Sequence, residues 1–142
     1  MSKPPHIADT ESYVESLFGP GTGVAHVRFL DRIQNEALRE MIHRYHSLEA
    51  DTSQLSVQEN YLIGMCVLCS QRDYLAAGLF AKTLLHLGVP KEKLLEAAAR
   101  LAMWIGGLPA VDASFAIQKA IREYEQEGLA SLGLWFPEEK PP

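Results

Sequence analysis

Residues 55–107, LSVQENYLIGMCVLCSQRDYLAAGLFAKTLLHLGVPKEKLLEAAARLAMWIGG, decide the fold. The stretch holds three helical segments with their punctuation. Ser56-Val57-Gln58-Glu59 has the S-x-x-E form of a capping box, in which the serine hydroxyl and the glutamate carboxylate each satisfy an amide that a helix start leaves unpaired, and Leu55 stands where a staple residue would. Leu62, Ile63, Met65, Cys66, Leu68 and Cys69 carry this helix to a polar junction at Ser70-Gln71-Arg72-Asp73. A second helix is expected from about Tyr74 to Leu87. Gly88 ends it as a C′ glycine, and Pro90 takes the first position of the next. The third segment, 90–105, is rich in Ala and Leu. Its Ala98, Leu101, Ala102 and Ile105 form a face small enough for close helix contact, and Gly106-Gly107 closes it.

Outward from this stretch the signals remain helical. Pro109 opens a last helix, 109–127, with Val111, Phe115, Ile117, Ala120, Ile121 and Tyr124 expected inward, and Gly128 closes it. Toward the N-terminus a long helix is expected from about His26 to Leu48, with Val27, Leu30, Ile33, Leu38, Met41, Ile42 and Tyr45 as its apolar positions. A polar loop follows at 49–54. Before the long helix lies a break at GPGTG (19–23). Before that break comes a short helix capped by Asp9 or Thr10 and holding Tyr13, Val14, Leu17 and Phe18. Hairpin turns and period-two alternation are lacking, so the fold class is all-α, a single-domain bundle of about five to six helices. The expected layout is 1–25 as an N-terminal segment with a short helix, 26–128 as the helical domain and 129–142 as a tail. In that tail Trp135 and Phe136 form an aromatic pair of the kind that docks on its own or a neighbouring subunit.

Composition narrows the functional classes. The 142 residues suffice for one domain, with 47% hydrophobic and 22% charged residues. The net charge of −5 argues against nucleic acid or an anionic membrane as partner, since both call for a basic patch. No apolar run approaches the roughly 20 residues of a membrane span, and MSKPPHIADTESY has no signal-like apolar core. The expected location is cytoplasmic. There, two cysteines are more often reduced, catalytic or simply buried than joined in a structural disulfide.

The order of signals carries a resemblance. Leu55-Ser56-Val57-Gln58-Glu59, an apolar helix, an amphipathic helix ending at Leu87-Gly88-Val89-Pro90, an acidic-basic helix and the corner Gly107-Leu108-Pro109 together resemble the carboxymuconolactone decarboxylase and alkyl hydroperoxidase D-like superfamily, over about residues 28–125. The resemblance implies an all-helical fold, a homotrimer or homohexamer with sites near subunit contacts, and a small-molecule substrate. It also implies one of two chemistries: peroxide reduction by a cysteine pair served by a glutamate, or decarboxylase and lactone chemistry on a small carboxylate. Glu59 matches the family glutamate. The peroxidase cysteines would fall near Gln71 and Tyr74, and the decarboxylase histidine near Phe80. Cys66-Val67-Leu68-Cys69 stands one to two turns earlier.

The candidate catalytic residues are therefore Glu59, Cys66, Cys69, His43 and His46. Glu59 and Cys66 are seven residues apart, which puts them on one helical face, so the glutamate is placed to accept a proton from the thiol. The bland alternative is two buried thiols among Met65, Val67 and Leu68, and a Glu59 that only caps its helix. His43 and His46, with His86, are the histidines available to stand in for the family histidine. Glu40-x-x-His43-x-x-His46 also has the spacing of a helical metal site, with His86 and Glu59 as conceivable further ligands; its alternative is a polar helix end whose histidines suit the helix dipole. No cofactor is implied. Trp104, Tyr61, Tyr74 and Phe80 line either an apolar pocket or a core. The first reading is a redox enzyme that reduces a peroxide through Cys66 and Cys69 with Glu59 as proton relay. The second is decarboxylase or lactone-type chemistry with Glu59 as acid/base and His43, His46 or His86 in place of the family histidine. The third has no catalysis: an oligomeric binding or scaffold protein.

Overall fold

The computed structural model describes residues 5–50 and 54–133, with side chains from Asp9 onward. Trp135 and Phe136 lie outside the described residues, as do most of the expected tail and residues 51–53 of the polar loop. Among the described residues the chain is all-α, as expected, and no strand occurs. Its contacts divide it into two compact units that part between Gln54 and Leu55 and again between Leu132 and Gly133. The expected stretch 26–128 spans that division.

The first unit holds α1 (Pro5–Phe18), α2 (Thr22–Leu30) and α3 (Glu36–Ala50), with α2 and α3 both packed on α1. Helix α1 starts earlier than the Asp9 or Thr10 cap implied; both residues lie inside it, and Thr10 is fully buried. The expected long helix 26–48 is two helices, because the chain turns at 31–35. Asn35 then caps α3: its side-chain oxygen accepts from the Leu38 amide at 2.9 Å. Arg39 donates to the Ile33 carbonyl and holds the turn against α3. Helix α2 comes very close to α1. A Cβ on Gly23 would stand 2.2 Å from the Glu11 backbone oxygen, so only glycine fits there.

The second unit holds α4 (Val57–Ser70), α5 (Tyr74–His86), α6 (Lys91–Arg100), α7 (Ala102–Ile105), α8 (Gly107–Glu127) and the short 3-10 helix Gly128–Leu132. The capping box forms as read: Glu59 N donates to Ser56 Oγ at 3.0 Å, and Ser56 N donates to Glu59 Oε1 at 3.2 Å. Asp73 caps α5 through the Ala76 amide. Gly88, at φ +87°, ends α5 as expected. Pro90 is the N-cap of α6 rather than its first residue, and the expected 90–105 helix breaks at Leu101 into α6 and α7. Two such splits raise the expected five to six helices to eight α-helical segments among the described residues.

Helices α5 and α6 pack on α8, and α4 pairs with α5. Small residues let them approach: a Cβ on Gly78 would lie 3.5 Å from the Ala120 Cβ, in ordinary contact. The resulting core is Met65, Cys69, Ala77, Ala81, Leu84, Leu94, Ala98, Ala113, Ile117 and Ile121 with their neighbours. Three expected inward positions are corrected. Val111 and Phe115 face outward, as does Ala102. Ala110, Ala113 and Ile117 take the inner face of α8 instead, because alanine admits the neighbouring helices where phenylalanine would hold them off.

Candidate functional site

In the second unit the candidate residues share helix α4. Glu59 is exposed at its first turn, and its carboxylate is engaged by the Ser56 amide. Cys66 is half-buried and Cys69 fully buried, well inside the helix where no free amide points at sulfur. Burial pushes the Cys66 thiol up. Burial first, and the neighbouring Cys66 second, push Cys69 up to about 11. A reactive thiol needs the opposite shift, supplied by a helix N-terminus or a nearby cation. Cys69 belongs to the apolar core and Cys66 packs against it. Tyr61 and Phe80 pack together with ring centroids 5.1 Å apart, and Trp104 stands exposed. His86 Nδ1 lies 3.3 Å from the Tyr124 hydroxyl.

His43 and His46 sit in the first unit, on the buried face of α3. His43 Nδ1 is 2.8 Å from Thr10 Oγ1 on α1. His46 Nε2 is 3.1 Å from His26 Nε2 on α2, and His46 Nδ1 lies 3.4 Å from Glu49 Oε2. The His26 and His46 rings meet edge to face, with centroids 5.0 Å apart, and Tyr13 flanks His46 at 6.1 Å. His46 thus bridges Glu49 and His26 through its two ring nitrogens.

The Glu40-x-x-His43-x-x-His46 spacing does not converge. Glu40 pairs with Arg44 at 2.8 Å, while the two histidines turn to different partners on α1 and α2. No group of three or more His, Cys, Asp or Glu side chains stands together as a metal-binding set among the described residues. The sequence reading missed His26, Thr10 and Glu49 as members of this cluster. One signal was available. Gly23, His26, Val27 and Leu30 recur at helical spacing, so His26 occupies a core position of its own helix.

No family model, curated protein or solved structure matches the chain. The resemblance to the carboxymuconolactone decarboxylase superfamily rests on the order of its sequence signals.

Proposed function

We propose that the protein is a non-catalytic helical scaffold that associates with copies of itself through the outer face of α7 and α8. One observation carries this reading. Met103, Trp104, Leu108, Val111 and Phe115, neighbours on α7 and the first half of α8, stand 47–82% exposed. Together they present on the order of 700 Å² of apolar side chain. That exceeds the roughly 300–600 Å² of a typical monomer's largest patch and approaches the roughly 800 Å² a standard interface takes from each partner. The first half of α8 is apolar on both faces, which is the pattern of a helix covered on both sides.

A second copy suits this face because the row is self-complementary. Leu108 and Phe115 flank Val111 at nearly equal distances along α8. An antiparallel pair of α8 helices centred by Val111 sets each Leu108 against the partner's Phe115. The exposed Lys119, one turn beyond Phe115, then points toward the partner's Trp104, a pairing suited to cation–π contact. Such a two-fold contact is one of the two kinds that a hexamer of dihedral symmetry needs. The engagement of Glu59 in its cap and the raised thiols support scaffold over peroxidase.

Sedimentation of the whole chain over a wide concentration range tests the reading. The wild type is expected to be dimeric or larger, and Leu108→Glu with Phe115→Glu to form a smaller assembly than the wild type at unchanged helical circular dichroism. A monomeric wild type, or folded variants that keep their assembly, would overturn it.

A further inference from the structure

Helix α3 carries a second exposed apolar face. Leu38, Met41, Tyr45 and Leu48 recur at steps of three, four and three, the a and d positions of two heptads, and all stand 40–70% exposed. The opposite face of the same helix holds the buried His43 and His46. The helix has thus turned its histidines inward and its apolar seam outward.

The charges beside the seam specify what covers it. With Leu38 and Tyr45 at a, Arg44 falls at g of the first heptad and Glu49 at e of the next. In a parallel, in-register pair a g residue faces the e residue five positions on in the other helix, so Arg44 meets the partner's Glu49, and the pairing repeats across the axis. An antiparallel pair centred on the same seam brings g against g, so Arg44 approaches the partner's Arg44 and the Arg44–Glu49 pairing is lost. Both side chains have bonds that they can exchange. Arg44 pairs with Glu40 at 2.8 Å on an exposed surface, a contact worth a few tenths of a kcal/mol. Glu49 reaches His46 only at 3.4 Å.

We propose that α3 is a second self-association face, pairing in parallel with α3 of another copy through Leu38, Met41, Tyr45 and Leu48 and two Arg44–Glu49 ion pairs. The seam spans about 15 Å, too short for two isolated peptides to pair. In the folded unit the helix is already formed and held by α1, so pairing carries little ordering cost. This proposal stands on α3 alone and does not depend on the α8 reading.

The test uses the whole chain carrying Leu108→Glu and Phe115→Glu, which removes the α8 face. Arg44→Glu leaves like charges at both flanking positions and is expected to weaken the remaining association roughly tenfold, two pairs turning from attraction to repulsion. Glu49→Arg should do the same, and an equal mixture of the two variants should associate again. Should Glu49→Arg disturb His46, the surface variant Arg44→Glu decides alone. Orientation is read by cross-linking: Tyr45→Cys should form a disulfide between two copies at position 45, mapped by mass spectrometry. Association unchanged by Arg44→Glu would overturn the proposal, as would links that form only between Leu38→Cys and Leu48→Cys. If the α8 variant is already monomeric, the α3 proposal falls and the α8 reading stands; if it assembles as the wild type does and Arg44→Glu dissociates it, the outcome is reversed.

Discussion

Around Ile117 the second unit buries methyl and methylene groups from four helices, α4, α5, α6 and α8; around His46 the first unit buries imidazoles and a threonine hydroxyl. Among the described residues, the buried side chains of the first unit are Tyr13, Val14, Val27 and Leu30 on one hand and Thr10, His26, His43 and His46 on the other. In the second unit the only buried polar side chains among the described residues are Lys82 and Thr83. A helical unit of about fifty residues has little apolar area to bury, and this one turns much of its own outward on α3. Directional hydrogen bonds must then select its packing. The second unit is held by volume and contact and needs no such network. The difference teaches where each unit is vulnerable: to lost volume in one, to an orphaned nitrogen or a backbone clash in the other.

The largest effect is expected where volume rules. Ile117→Ala empties a fully buried site on the inner face of α8 and should cost about 2–5 kcal/mol in denaturant unfolding of the second unit. A loss well below about 1 kcal/mol would mean that this core is loosely packed, and the contrast between the units would fail.

Two glycines sharpen the comparison next. At Gly23 an added methyl meets the Glu11 main chain at 2.2 Å, which cannot yield without moving α1 from α2, so Gly23→Ala should cost about 1–3 kcal/mol or more. At Gly64 the same methyl meets the edge of the Phe80 ring at 2.5 Å, and a ring can turn. Gly64→Ala should therefore cost less than Gly23→Ala, and thermal unfolding of the two variants reads the order. Equal costs would show that α4 and α5 are as rigidly set as α1 and α2.

His26→Leu addresses the polar core itself. It removes the partner of His46 Nε2 and leaves a buried nitrogen unsatisfied, at a cost of about 1–3 kcal/mol despite leucine's better burial. A stabilised variant would mean that the imidazole pair is dispensable to packing. The pair would then read as a feature kept for some other purpose.

The thiols provide a chemical measurement of the same contrast. An alkylating reagent at about pH 8 should label native Cys66 and Cys69 much more slowly than the unfolded chain, because burial favours the neutral thiol in both. The folded value lies above the free one, so the stabilisation is complete below the ordinary thiol range of about 8.5. For Cys69 it is lost as pH rises through about 11. Fast labelling near neutral pH would instead revive peroxide reduction through Cys66, with Glu59 as its proton acceptor.

The sequence disclosed most where a signal is local. The Ser56–Glu59 box, the Asp73 junction and the glycine at 88 each act through backbone groups a few residues away, and each forms. It disclosed least where the partner is distant. Leu38, Met41 and Tyr45 are legible as an apolar stripe, but periodicity says that a stripe will be covered, not by what. Val111 and Phe115 lie on the first half of α8, which carries apolar residues on both faces, so the period could not choose between them; the alanines at 110 and 113 chose by size. His26 joins His46 across the turn at 31–35, a turn hidden because the apolar spacing of α2 and α3 happens to run on in phase.

The smallest effect concerns how the second unit closes. Lys82, buried on α5, donates to Glu123 Oε2 at 2.6 Å and to the Ser131 carbonyl at 3.0 Å, so one ammonium fastens the final 3-10 turn to α5 and α8. The hydrogen bond from Lys82 holds the Glu123 carboxyl below the ordinary range, with the charges of Lys82, Lys119 and Arg122 adding to it against some loss of solvent. A lowered carboxyl stabilises the fold above its unfolded value, about 4.3 for glutamate, and the contribution disappears as pH falls below that. Because Glu123 is 39% exposed, solvent screens the pair and the effect should be modest. Hydrogen exchange at residues 128–132 should accelerate, beyond its intrinsic pH dependence, between about pH 5 and pH 3, while the α4 amides around Met65 stay protected. Glu123→Gln should abolish that dependence and leave the turn partly loosened at every pH. If the turn keeps its protection through this range, Leu132, which is buried, is the group that holds it, and the second unit is closed by apolar contact alone.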